Sequence, residues 1–279
     1  MILLPIFVLA IIQGITEFLP ISSSGHLVLV HEIMNGELDD LDEKRMDIAV
    51  HVGTLLAVIL YFKSDFIDMV YGGFDILTGK IQTSNAHQTM LISIASIPIV
   101  IAGFALYSFN MTIFDSLHII GWMTLLFGVL LYISDKRPQS SETIHDFTIK
   151  TAFLYGIFQV LALIPGVSRS GITMTAGRFM GHSRTESARM SLLMGMVTIS
   201  AAGILMGIDV FQDSSLSNDF MAMIGIGIVL SFFAAYTAIW TMMKWFARQG
   251  SMAPFVIYRI ILGVTLLSLL SFGVIGEDL

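Results

Sequence analysis

Cysteine is absent from the 279 residues, which excludes disulfides, thiol catalysis and thiolate metal sites. Charge is scarce too. Asp, Glu, Lys and Arg make up 13% of the chain, where a soluble domain carries roughly 25%. No Lys or Arg precedes Lys44. A cleaved export signal needs an early positive region ahead of its apolar core, so none is expected. What is abundant is apolar surface: 55% of residues are hydrophobic and the mean hydropathy is +0.83. The chain reads as an all-α polytopic membrane protein built as a single integral membrane domain.

Five stretches lack Asp, Glu, Lys and Arg: Met90–Tyr107, Ser116–Ser134, Met190–Ile208, Phe220–Met243 and Ile260–Gly276. Each approaches the ~20 residues a spanning helix requires. Ile48–Phe62 is shorter but uncharged and makes a sixth transmembrane helix. Phe66–Gly79, with Asp68, Asp75 and a Gly72-Gly73 pair, reads as an interfacial helix.

Two regions fit no simple span. Ile2 to about Met34 and Thr151 to about Met180 are each an apolar half, a polar break and a second half. The breaks hold Pro20 with Ser22–Gly25, and Pro165 with Ser168–Gly171. Backbone leaves a helix at membrane depth only where protein or a watery cavity satisfies it, so both read as re-entrant hairpins. "IQGITEFLPISSSG" (12–25) lies on "FQVLALIPGVSRSG" (158–171) with a constant shift. Gln13 then meets Gln159, and Ser22, Ser24 and Gly25 meet Ser168, Ser170 and Gly171. The reading is a repeat with halves at about 1–145 and 146–279. In such repeats broken helices often meet at a binding site near the midplane.

Positive charge sets the expected orientation. With the N-terminus outside, ten basic residues fall inside: Lys63, Lys80, Lys136, Arg137, Lys150, Arg184, Arg189, Lys244, Arg248 and Arg259. Only Lys44 and Arg45 fall outside. The hairpins then enter from opposite sides, an inverted-topology repeat. The acidic loop 209–219 falls outside.

The polar groups of the breaks are the candidate site. A carboxylate such as Glu17 costs roughly 2.5–3.5 kcal/mol at a helix centre, and such residues are functional by default. Gln13 lies one turn earlier on the same face. Ser22, Ser23, Ser24 and Gly25 precede an apolar helical run. One serine serves as a cap; the others, with free N–H groups, suit an anion such as phosphate. His26 follows, placed for proton transfer or nucleophilic chemistry. Arg169, between Ser168 and Ser170 and before Gly171, offers bidentate donors to phosphate oxygens or a salt bridge to Glu17. Arg178 is expected at the interface. Ser183–Glu186 fits a capping box, and Pro98 should kink its helix. His51 opens "HVGTLLAVILYF" and either faces the site or packs.

"QGITEFLPISSSGHL" (13–27), "DIAVHVGTLLAVILYF" (47–62), "PGVSRSGIT" (165–173) and "PFVIYRIILG" (254–263) resemble, in order and spacing, the signatures of the bacterial undecaprenyl-diphosphate phosphatase (bacitracin-resistance) family. The resemblance covers essentially the whole chain. It implies six spans and two hairpins in the cytoplasmic membrane, with the site open to the outer side. It implies hydrolysis of undecaprenyl diphosphate to undecaprenyl phosphate and inorganic phosphate, recycling the carrier for peptidoglycan. Catalytic roles carry over to Glu17, Ser23, His26 and Arg169. Gln13, Ser22, Ser24, Gly25, Ser168, Ser170 and Gly171 stand as substrate-binding positions. The family's cation dependence implies Mg²⁺ or Ca²⁺, with Glu17 a possible ligand. The first signature often carries two glutamates, and Gln13 replaces one here, so a two-carboxylate metal site is not expected.

Ser23 with His26 as proton partner, His26 alone, or a water oriented by Glu17 remain as attacking groups. The partners expected are a polyprenyl diphosphate and membrane lipid, with no nucleic acid; a homodimer is compatible. The rival class is a transporter or flippase of a lipid phosphate, whose broken helices would be similar.

Overall fold

A computed structural model describes residues 3–34, 40–109, 116–210 and 218–275. Residues 211–217 of the acidic loop lie outside this set. The helices are α1 (Leu3–Thr16), α2 (Ser23–Met34), α3 (Asp40–Tyr61), α4 (Lys63–Leu77), α5 (Ser84–Ser108), α6 (Leu117–Asp135), α7 (Ile149–Val160), α8 (Arg169–Phe179), α9 (Arg184–Val210), α10 (Asn218–Ala247) and α11 (Ala253–Ser271). Short 3₁₀ turns precede α7 and follow it. Among the described residues, five helices are long and apolar enough to cross a membrane, or six if α3 and α4, which meet at 91°, count as one bent span. The protein is therefore an all-helical, multi-pass membrane protein.

Five of the described helices start earlier than the charge-free stretches suggest: α5 at Ser84, not Met90, α9 at Arg184, not Met190, α10 at Asn218, not Phe220, and two more. α3 begins at Asp40, not Ile48, and α11 at Ala253, not Ile260. Charges paired inside the protein do not stop a helix. Arg45 pairs with Asp42 at 2.9 Å, and Arg259 is wholly buried in α11. α4 takes the place of the interfacial helix. Its outer face exposes Tyr71, Phe74 and Leu77, while Asp65 ties it inward to Arg189 at 2.6 Å and Gln88 at 3.1 Å.

α10 packs against both α1 and α3, α11 against α6, and α5 against α7. Close approach depends on small residues. A Cβ on Gly53 of α3 would stand 2.3 Å from the Ile228 carbonyl of α10. Pro98 lies inside α5. One turn before it, the Ala95 carbonyl accepts from Gln159 at 3.1 Å. The central core joins Phe18 of the first break to Met174 of α8, Leu192 of α9 and Ala235 of α10.

Arg178 is not interfacial. It is fully buried and donates to the backbone carbonyls of His182, Arg137 and Asp135. Asp135 also binds Arg184 at 2.6 Å and the Met252 N–H at 3.1 Å. The capping box forms only in half. Ser183 accepts from the Glu186 N–H at 3.1 Å, but the Glu186 carboxylate accepts from the Ile144 N–H at 2.9 Å.

Candidate active site

The two breaks lie against each other. The constant shift that matches their sequences also matches helix starts, Leu3 with Ile149 and Ser23 with Arg169. It matches backbone strain as well. Ser22 has φ 74° and Ser168 φ 70°, a left-handed state that costs a residue with a Cβ about 1–3 kcal/mol. Each serine then meets the hydroxyl two residues on: Ser22 with Ser24 at 3.1 Å, and Ser168 with Ser170 at 3.2 Å. The loops cross-link. The Gly166 N–H donates to Ser24 Oγ at 3.4 Å, and Ser170 Oγ donates to the Leu19 carbonyl at 2.8 Å. Ser168 Oγ caps α8 by accepting from the Gly171 N–H at 3.1 Å. These hydroxyls hold together the two turns from which α2 and α8 start.

Glu17, one residue beyond α1, is buried at this joint. Arg169 Nη2 donates to its Oε1 at 2.8 Å. Ser23 Oγ donates to Oε2 at 2.9 Å, and Gln13 Nε2 donates to the same oxygen at 2.8 Å. His51 Nε2 lies 3.7 Å from it. Arg169 is held by further contacts. Nη1 donates to the Ser191 carbonyl at 3.2 Å, and the guanidinium lies 5.5 Å from the Phe18 ring centroid. Gly195 of α9 makes room for it, since a Cβ there would stand 2.0 Å from Nη1.

Glu17, His51 and Arg169 open into a cavity of about 740 Å³ between α3, α5 and α9. Asp47 lines the same end, and the remaining walls are mostly apolar, including Ile99, Phe104, Leu163 and Ile199. A buried ion pair heads a long apolar chamber.

His26 is turned elsewhere. Its Nδ1 donates to the Ser22 carbonyl at 2.7 Å, and its Nε2 accepts from the Tyr258 hydroxyl at 2.6 Å. The rings stack at 5.5 Å. The expected Ser23–His26 pair is not made here: the Ser23 hydroxyl bonds Glu17. His26 instead fastens the strained Ser22 to α11.

Sequence reasoning left His51 undecided and missed Gly195, Tyr258 and Arg259. Arg259 donates to the carbonyls of Thr124 (3.1 Å), Val167 (3.1 Å), Met123 (3.4 Å) and Gly166 (2.9 Å). It satisfies backbone that the second break frees. Its signal was present, a charge inside an apolar helix, but it entered the count of inner loop charges instead.

Among the described residues no three His, Asp or Glu side chains stand close enough to hold a metal ion. Both Glu17 oxygens already accept hydrogen bonds. The residues here do not form a metal site.

Fold and site together define a multi-pass membrane protein with a charged, hydroxyl-bearing pocket at the head of an apolar chamber. The chain belongs to the family described as bacitracin resistance protein BacA, whose profile matches residues 6–265. It is 44% identical over 270 residues to the undecaprenyl-diphosphatase of Jannaschia sp. (strain CCS1), covering 95% of this chain and 97% of the relative. It is 42% identical to that of Dinoroseobacter shibae over 96% of this chain and 98% of the relative. It is 40% identical to that of Saccharophagus degradans over 95% and 97%.

Proposed function

We propose that the protein hydrolyses undecaprenyl diphosphate to undecaprenyl phosphate and inorganic phosphate. It would thereby recycle the lipid carrier for cell-wall polymers and confer bacitracin resistance. One observation carries the reading: Glu17 is clasped between Arg169 and Ser23 at the polar head of a mostly apolar cavity of about 740 Å³. The prenyl chain takes the apolar chamber and the diphosphate takes the polar head.

Phosphoryl transfer is mostly positioning and charge stabilisation. An entering dianion draws Arg169 from Glu17, and the positive ends of α2 and α8 add to its field. Ser23 Oγ attacks the terminal phosphorus while Glu17 takes its proton. The P–O bond to undecaprenyl phosphate breaks, and water then cleaves the phosphoserine. His26 supports the attack by holding the Ser22 turn. A divalent cation would arrive on the diphosphate's own oxygens, and no step above depends on it.

The matched helix starts, the paired left-handed serines and the reciprocal cross-links support six spans and two re-entrant hairpins in an inverted repeat, within one membrane domain. The charge distribution supports a site open to the outer face of the cytoplasmic membrane.

The test is phosphate release from C55 diphosphate by the purified protein in detergent. Wild-type protein is expected to release phosphate and Ser23→Ala to lose at least about 10³-fold in kcat, comparable to losing a major electrostatic or nucleophilic element. Binding and movement of the lipid in liposomes without phosphate release would replace this reading with the transporter one.

A further inference from the structure

His51 is a polar group of the chamber, in reach of Glu17, that the reaction above leaves unused. Its side chain is 34% exposed, and it lines the cavity beside Glu17 and Arg169. Its proton is placed by its partners. Nδ1 lies 2.7 Å from the Asp47 carbonyl, which only accepts, so Nδ1 carries the hydrogen. Nε2 is then a lone-pair acceptor. It takes one hydrogen of the Gln13 amide at 2.9 Å, while the other goes to Glu17 Oε2. The same Oε2 receives the Ser23 hydroxyl proton at 2.9 Å and lies 3.7 Å from His51 Nε2. The hydroxyl is hydrogen-bonded to the carboxylate, and the Gln13 amide bridges that carboxylate oxygen to the imidazole nitrogen.

We propose that His51 is the proton acceptor behind Glu17. As the Ser23 Oγ–P bond forms and the P–O bond to undecaprenyl phosphate breaks, the serine proton passes to Glu17 Oε2; with the Gln13 amide turned out from between them, Glu17 Oε2 and His51 Nε2 close from 3.7 Å to hydrogen-bond reach and the proton passes on to Nε2. Glu17 is left ionised for the water step, and the imidazolium returns its proton to the departing inorganic phosphate. Gln13 suits both states. Its carbonyl oxygen is buried and has no hydrogen-bond partner among the described residues. When the amide turns over, that oxygen accepts from the protonated Nε2. The groups facing His51 from the packed elements are Glu17, Arg169, its own Asp47 and Tyr107 across the cavity. Among them Glu17 Oε2 is the oxygen placed between serine and imidazole.

The inference rests on the phosphatase reading, and one experiment separates their failures. Phosphate release from C55 diphosphate is measured for wild type, His51→Gln and His51→Ala, with melting temperatures of each in detergent. His51→Gln keeps an acceptor for Gln13 but no base. Both variants are expected to melt close to wild type, hold KM within about threefold and lose kcat by about 10²–10⁴-fold, the range for removing a general acid–base group. Added imidazole should restore His51→Ala at least about tenfold, and pyrazole, similar in shape but far less basic, should not. Variant turnover within about threefold of wild type, or equal rescue by the two rings, overturns the role of His51. A wild type that releases no phosphate overturns the phosphatase reading as well.

Discussion

A carboxylate at membrane depth persists only with its charge answered, and Glu17 has Arg169 at 2.8 Å, both largely buried. Removing one partner of such a pair costs roughly 3–5 kcal/mol, because the other charge is stranded. Arg169→Met is therefore expected to lower thermal stability in detergent as well as to abolish phosphate release. The double variant Glu17→Gln with Arg169→Met should recover most of the stability and none of the activity, since contacting residues do not behave additively. Melting and phosphate release on the same samples check this; a double variant no more stable than Arg169→Met would show that the pair is not coupled. The sequence placed Glu17 and Arg169 in matched breaks, but their contact spans helices far apart in the chain. Ser23 shows the opposite limit. Nearness in sequence suggested His26 as its partner, yet an α-helix starting at Ser23 carries the His26 ring to the Ser22 carbonyl and Tyr258.

At the level of elements, the breaks were legible because Pro, Ser and Gly interrupt apolar runs in only two regions. What holds them open was not. Arg259 reaches from α11 to four carbonyls, two on α6 and two in the second break. A guanidinium presents five donors in a fixed fork, while an ammonium is a single point of charge. Arg259→Lys is expected to cost on the order of 3 kcal/mol, as several buried carbonyls lose their donors. It should also lower kcat, because Ser168 and Arg169 follow directly on the freed turn. A thermal melt and turnover assay decide it; a Lys variant indistinguishable from wild type would mean the carbonyls are satisfied otherwise. The early start of α11 has the same origin, since a charge spent on the protein's own backbone does not end a helix.

Across the whole molecule, the chamber is where the prenyl chain would lie on the proposed reading, and its apolar wall would then set chain-length selection. Gly203 lines it with open space where a Cβ would be. Gly203→Phe is therefore expected to fill the chamber without disturbing the fold. KM for C55 diphosphate should rise at least about tenfold, while KM for a C15 prenyl diphosphate changes less than about threefold. Equal effects on both substrates would move the chain out of this cavity. Composition by itself determined that the protein is helical and membrane-embedded, because scarce charge and long apolar runs leave few other ways to satisfy a backbone in lipid. Local sequence also determined where the helices break and which polar groups the breaks carry. Only the tertiary structure decided that Glu17 meets Arg169 and Ser23, that His51 turns toward them while His26 turns away, and that Arg259 closes the second break. Those choices depend on how helices distant in the chain pack, and neither periodicity nor spacing along one helix encodes that.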